Sequence, residues 1–188
     1  MKQTKESYKS GEKALTQKQV EKLFEHVTDL QDLALIKLAI DVGLRRSDIV
    51  GVKRRDVDLE NNKITFNEKK KKRTKTVYIS DDTKLTLQRW LNINKSDWLF
   101  PSRFKKKKDH LSSRSAYNIL RKYTKSANIP DIPFHALRAT CVKLHQIAGW
   151  TPEQTAKLIG DKVSTVQQHY SVPSEQEMAE ITKEKPIF

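Results

Sequence analysis

Four clusters of reactive side chains stand out along the chain. In HALR, at 135–138, an imidazole and a guanidinium lie three residues apart. At a helix start, that spacing puts His135 and Arg138 on one face, aimed at one spot. An imidazole gives or takes a proton near neutral pH, and a guanidinium grips two phosphate oxygens at once. In GLRRSD, at 43–48, a glycine stop precedes Arg45, and Asp48 follows three residues later, where it can orient an arginine of the same turn. The run KKKKR, Lys69 to Arg73, is densely cationic, and a lysine there can reach into a DNA groove or give a proton to a leaving oxygen. Tyr170 follows IGDKVSTVQQH late in the chain and carries a hydroxyl that can act as a nucleophile. Each cluster also has a plain structural reading: an exposed His and Arg, a salt bridge at a helix start, a solvated charge run, a packing tyrosine.

Composition narrows the field. The 188 residues suffice for one compact domain with or without tails. Lys and Arg exceed Asp and Glu by 37 to 23, a formal net charge of +14. Such a balance points to a polyanion, meaning DNA, RNA or an anionic membrane, without choosing among them. Cys141 is the single cysteine, so no internal disulfide forms, and no Cys/His cluster has zinc-ligand spacing. No glycine loop of the phosphate-binding type occurs. The polar start MKQTKESYKSGEKA is unlike a signal peptide. No apolar run approaches the roughly 20 residues that span a bilayer. The expectation is a soluble, intracellular protein with no cofactor and no metal.

The elements that must position these groups follow from periodicity. Thr16 and Gln19 have capping-box spacing, and Val20, Leu23, Phe24 and Val27 follow at helical intervals. A second helix, about 31–42, is apolar on most sides and stops at Gly43. A short helix is expected over 46–53. Between 57 and 80 the period changes: Ile64 to Phe66 and Thr76 to Ile79 are β-prone and flank the lysine run, which predicts a hairpin or meander with a basic turn. Helices are expected over about 82–93, 113–127, 136–148, 152–159 and 164–170, with WLFPS at 98–102 as an irregular, partly buried link. Lys105, Lys106, Lys107 and Lys108 read as an exposed loop. His26, His110, His145 and Cys141 read as structural or incidental, with no partner expected for His145. The fold class is α+β, mainly α.

Arg45, a hairpin lysine, His135 with Arg138, and then Tyr170 form an order that resembles the tyrosine recombinase family, which includes phage integrases and Xer-type resolvases. GLRRSDIVGVKRRDVDL is similar to that family's first arginine motif, ITFNEKKKKRTKTVYIS to its strand–lysine–strand hairpin, and PFHALRATCVKLHQIAGWTPEQTAKLIGDKVSTVQQHY to its H-x-x-R block through to the tyrosine. The likeness covers residues 15–175. It implies the family's catalytic fold, a helical bundle with a small antiparallel three-stranded sheet.

It also implies a chemistry, site-specific DNA recombination by integration or excision. Tyr170 attacks a DNA phosphodiester and forms a 3′-phosphotyrosyl link. Arg45 and Arg138 clamp the nonbridging oxygens. His135 accepts the tyrosine proton or hydrogen-bonds the phosphate. A hairpin lysine protonates the leaving 5′ oxygen. Counting from Arg45 favours Lys69 and counting back from Val77 favours Lys70, and Lys70 is preferred. Lys69, Lys71, Lys72, Arg73 and Lys105 to Lys108 are the DNA-contacting candidates. The pattern departs at one place. The glycine before the tyrosine helix is followed in the family by His or sometimes Trp, a phosphate donor, but here Gly160 is followed by Asp161. An ionised carboxylate cannot donate. Lys162 can substitute, or the missing donor costs on the order of 2–4 kcal/mol of transition-state stabilisation.

The resemblance further implies residues 1–13 as linker or tail, 14–173 as the catalytic domain, and 174–188 as a helix or tail that can pack on a neighbouring protomer. It has no counterpart here of the family's N-terminal core-binding domain. The expected partner is double-stranded DNA, with up to four protomers assembling on it and a monomer in its absence. Type IB topoisomerase-like relaxation, a non-catalytic DNA-binding relative and a ribosomal-type RNA-binding protein are the rival readings.

Overall fold

The computed structural model describes residues 10–68, 73–103 and 109–170, together with Met178, Ala179, Thr182 and Lys183. Helix α1 (Gln17–His26) starts on the expected capping box, with Thr16 Oγ1 accepting from Gln19 N and Gln19 Oε1 accepting from Thr16 N. Helix α2 (Leu30–Val42) is the centre of the core. Ala34, Leu35, Ile36 and Leu38 are fully buried on its successive faces, as a helix apolar all round requires. It ends at Gly43, whose φ of 58° is left-handed. A Cβ at this glycine would stand 2.7 Å from the Ile159 side chain and 3.0 Å from Cys141 Sγ, so three segments converge there.

Helix α3 (Arg46–Ile49) is shorter than the expected 46–53. Gly51 turns the chain, and Val52 is instead buried, with its carbonyl accepting from Leu99 N. Three strands follow as an antiparallel meander: β1 (Val57–Asp58), β2 (Lys63–Glu68) and β3 (Arg73–Tyr78), in that order across the sheet. Ile64 lies opposite Val77, Phe66 opposite Lys75, and Glu68 opposite Arg73. Alternation turns Ile64, Phe66 and Glu68 inward on β2. Helix α4 (Asp81–Ile93), capped by Ser80, packs on α2.

The WLFPS link buries Leu99 and Phe100 completely. Leu111 N donates to Phe100 O and Ser102 N to Asp109 O, so the two legs of the following loop are tied together. Lys105 to Lys108, and likewise Lys69 to Lys72, lie outside the described residues. Helix α5 (Ser113–Ser126) buries Ala116, Ile119, Leu120 and Tyr123. Helix α6 (Ala136–Ile147) lies between α2, α7 (Pro152–Ile159) and a single 3-10 turn at Ser10–Lys13, and α8 (Val163–His169) follows. Ser10–Lys13, expected to belong to a polar tail, is thus part of the packed structure. Leu15 N anchors it by donating to Thr140 Oγ1. His145 also departs from expectation: its Nδ1 lies 2.8 Å from Cys141 O and its ring meets Trp150 edge-on. Of the segment 174–188, expected to be a helix or tail, Met178, Ala179, Thr182 and Lys183 are helical. The whole is a mainly helical domain with one small sheet. Among the described residues, no helix is long and apolar enough to cross a membrane.

Candidate active site

Arg45, His135, Arg138, Asp161 and Tyr170, each singled out in the sequence, converge at one place. Arg45 is the N-cap of α3 and follows directly from the left-handed turn at Gly43 and the buried Leu44. Its guanidinium pairs with Glu68, at the inner end of β2, and faces Asp161 Oδ1 at 3.6 Å. Glu68 also takes Arg73 Nε at 3.1 Å. The Glu68 side chain is 2% exposed, so its charge is offset by these two arginines rather than by water. Asp48 is buried and faces the Ser47 hydroxyl at 3.5 Å.

Arg138 lies deeper than a surface H-x-x-R would place it. Its residue is 2% exposed because α6 is enclosed on several sides. Nη1 donates to Gly43 O at 2.6 Å and to Ile159 O at 3.0 Å, and Nη2 donates to Asp161 Oδ2 at 2.6 Å. Its Nε is buried without a hydrogen-bond partner among the described residues. The guanidinium therefore ties the end of α2 to the end of α7 and shows one edge to the site.

His135 is the N-cap of α6, and its Nε2 lies 2.9 Å from the Tyr170 hydroxyl. Burial pushes the imidazole pKa below its ordinary value, reinforced by the Arg138 charge, opposed by Asp161 and lowered further by Arg45. A neutral ring with Nε2 accepting from the phenol carries its proton on Nδ1. Tyr170 is the C-cap of α8 and is 4% exposed, packed with Ala139, Val142, Ile159 and Val166. A side chain on Gly11 would come within 2.9 Å of the Tyr170 carbonyl oxygen, so the Ser10–Lys13 turn rests against the tyrosine's own peptide unit.

Two further residues belong to the site without having been singled out. Glu68 is one. Lys75 on β3 is the other. Its Nζ donates to Leu158 O at 2.6 Å, at the end of α7, and sits where a Cβ on Gly160 would approach to 3.0 Å. Gly160 itself has a φ of 74°. Burial lowers the Lys75 pKa to about 8, aided by Arg138, with Glu68 opposing and Arg45 and Arg73 adding to the depression. Both residues carry a signal in the sequence, since each continues an inward-facing strand row: Glu68 after Ile64 and Phe66, Lys75 before Val77. Lys162, the N-cap of α8, is exposed.

The result is a cationic nest with two carboxylates inside it, next to a tyrosine whose hydroxyl lies 2.9 Å from an imidazole nitrogen. An open cleft of about 530 Å³ adjoins it, lined in part by Arg45, Arg46, Arg114, Tyr117 and His135. Such a nest suits an anion approached by an oxygen nucleophile.

A family model and curated relatives show kinship, and solved structures show the same fold. The model of the phage integrase family matches residues 13–177. Tyrosine recombinase XerA of Saccharolobus solfataricus is 31% identical over 160 residues, covering 85% of this chain and 52% of the relative. The protein of the same name from Pyrococcus horikoshii is 29% identical over 132 residues, covering 69% and 46%. The chain thus spans about half the length of these curated relatives. A crystal structure of XerA recombinase superposes with a TM-score of 0.80 at 21% identity, over 93% of this chain and 66% of that one. XerH recombinase bound to its difH substrate in a pre-cleavage complex gives 0.71 at 19% identity, over 92% and 53%. These structural likenesses establish the fold.

Proposed function

The chain belongs to the phage integrase family, and on that premise we propose that it is the catalytic domain of a site-specific tyrosine recombinase, cutting and rejoining double-stranded DNA through a 3′-phosphotyrosyl intermediate. The observation that carries the reading is the 2.9 Å contact between the Tyr170 hydroxyl and His135 Nε2, beside two arginines that face one anion. Neutral His135 takes the phenol proton as the Tyr170 oxygen attacks phosphorus in line. The bond from phosphorus to the 5′ oxygen breaks, and a hairpin lysine, Lys70 or Lys69, gives that oxygen a proton. Arg45 and Arg138 stabilise the charge that grows on the nonbridging oxygens. Glu68 orients Arg45, and Asp48 supports the same turn. The phosphodiester energy is kept in the tyrosyl link, so a second 5′ hydroxyl can reverse the attack and reseal. Neither a metal nor a nucleotide enters these steps.

Duplex DNA as the partner is supported by the net charge of +14 and by the arginine-lined cleft that reaches His135. Arg73, Lys71, Lys72 and Lys105 to Lys108 are the proposed backbone contacts. Residues 14–173 form the catalytic unit in this reading. Residues 174–188 pack on a neighbouring protomer within an assembly of up to four on DNA, and the protein works inside the cell.

A nicked suicide duplex carrying a candidate core site tests the reading. Its cut strand loses a short fragment, so the covalent complex cannot reverse. The expected result is a denaturant-resistant protein–DNA adduct that is absent from Tyr170→Phe. Tight binding with no adduct on any such duplex would favour a DNA-binding relative without strand transfer, a reading that Asp161 alone speaks for.

A further inference from the structure

The carboxylate of Asp161 splits its two oxygens between the two arginines. Oδ2 accepts from Arg138 Nη2 at 2.6 Å, and Oδ1 faces Arg45 Nη2 at 3.6 Å. Two nonbridging oxygens of a phosphodiester gripped by the same pair would be shared in the same way. We propose that Asp161 is a resident phosphate surrogate: a positioning residue that holds Arg45 and Arg138 apart at anion-binding distance in the DNA-free protein, and that the scissile phosphate must displace. The inference rests on the arginine pair being the phosphate site of the proposed reaction.

The way Arg138 is held sets an incoming anion in competition with Asp161. Nη1 is committed to Gly43 O and Ile159 O, and the residue is 2% exposed. Nη2 and the unpartnered Nε are the donors left for an incoming anion, and Asp161 already draws on Nη2. The backbone beneath Asp161 is fixed. Gly160 N and Asp161 N both donate to Ala156 O, and Lys75 Nζ holds Leu158 O. The side chain, by contrast, is 21% exposed, so rotation about its own torsions carries the carboxylate toward solvent without moving the turn.

The charges explain what such a residue does. Arg45, Arg73, Lys75 and Arg138 converge on this spot, and without an anion the two guanidiniums at its centre repel. Asp161 offsets that repulsion and so stabilises the empty site. It also competes with every anion that enters. A small free anion brings only its own charge against this competition. A DNA phosphate arrives together with many backbone contacts, and their sum can pull it past the carboxylate. The device therefore screens against isolated anions and favours a phosphate presented by a docked duplex.

Removing the carboxylate should lower stability and tighten anion binding at the same time. That opposite pair of effects separates a surrogate from an ordinary structural salt bridge. The experiment uses the full chain and inorganic sulfate as probe, at constant ionic strength, with thermal melting as readout. Asp161→Asn is expected to melt several degrees below wild type without sulfate. It should bind sulfate on the order of tenfold more tightly than wild type does. Adding Arg45→Met to Asp161→Asn should abolish that gain. Asp161→His serves as a second variant should the asparagine form fold poorly, with the same gain in sulfate affinity expected. Sulfate affinity unchanged or weakened in both variants would overturn the proposal, as would a gain that survives Arg45→Met. Sulfate binding does not require strand transfer. If the suicide duplex gives no adduct while the sulfate result holds, it is the recombinase reading that fails and not this one.

Discussion

Replacing Arg138 with methionine is expected to destabilise the protein before any chemistry is measured. Methionine fills much of the volume of the guanidinium stem but donates nothing. Gly43 O and Ile159 O lose a charged donor, and Asp161 loses its short contact. Breaking a buried ion pair by removing one partner costs about 3–5 kcal/mol. Asp161 is 21% exposed and can turn to water, which trims its share. The two carbonyls end α2 and α7 and have little room to turn. A domain of this size loses roughly 2–4 °C of melting temperature per kcal/mol, so the expected fall is roughly 6–20 °C. Arg45→Met is the matched control. Arg45 is 19% exposed and grips side chains rather than backbone, so the fall should be clearly smaller. Circular dichroism melts of the three proteins at one pH and salt decide the matter. A fall of less than about 3 °C for Arg138→Met, or a larger one for Arg45→Met, would refute the view that Arg138 ties two helix ends together. The same result bears on how lost activity in Arg138 variants is read, since part of it would be lost structure.

Two expectations concern pH. The folded pKa of Lys75, about 8, is below its ordinary value of 10.5, so the unfolded chain binds the proton more readily. Below pH 8 this group costs the fold its full penalty, and as pH rises from about 8 toward 10.5 that penalty is relieved, so stability gains with pH in that window. Urea midpoints of wild type and Lys75→Met across the window should diverge upward for wild type, and parallel curves would contradict the buried-amine account. His135 is held below the usual imidazole pKa of 6.5, so it remains a base in mildly acidic buffer. Single-turnover adduct formation on the nicked duplex should therefore persist as pH falls through 6.5 and decline only below it, whereas a half-maximum above 6.5 would count against His135 as the acceptor.

Much of this site was legible in the sequence because its parts sit on local signals. Gly43 and Gly160 mark helix ends by the left-handed conformation they adopt, and the residues just past those ends, Leu44–Arg45 and Asp161, are where side chains can turn inward. The HALR spacing put His135 and Arg138 on one helix start, and the structure brings His135 to Tyr170 and Arg138 to Asp161. What the sequence concealed is depth. Nothing in HALR says that the arginine is enclosed, because its burial comes from α2 and α7, distant in sequence. Glu68 reads as the edge of a charge run until strand alternation is followed from Ile64 through Phe66, and its partner Arg45 lies 23 residues away. Lys75 was hidden similarly in a lysine-rich segment, and it faces the same side as Val77. The Ser10–Lys13 turn has no apolar period, and its place is fixed by a backbone contact that composition cannot announce.

That turn gives Tyr170, the proposed nucleophile, a mechanical neighbour. Gly11 fits against the Tyr170 carbonyl because it has no side chain to interpose. Leu15 N is pinned to Thr140 on α6, so the segment has little slack on its downstream side. A pull or twist applied to the chain at residue 10 therefore has a short lever arm to the Tyr170 peptide unit. Gly11 and Tyr170 form one joint, 159 residues apart along the chain and packed against each other across it.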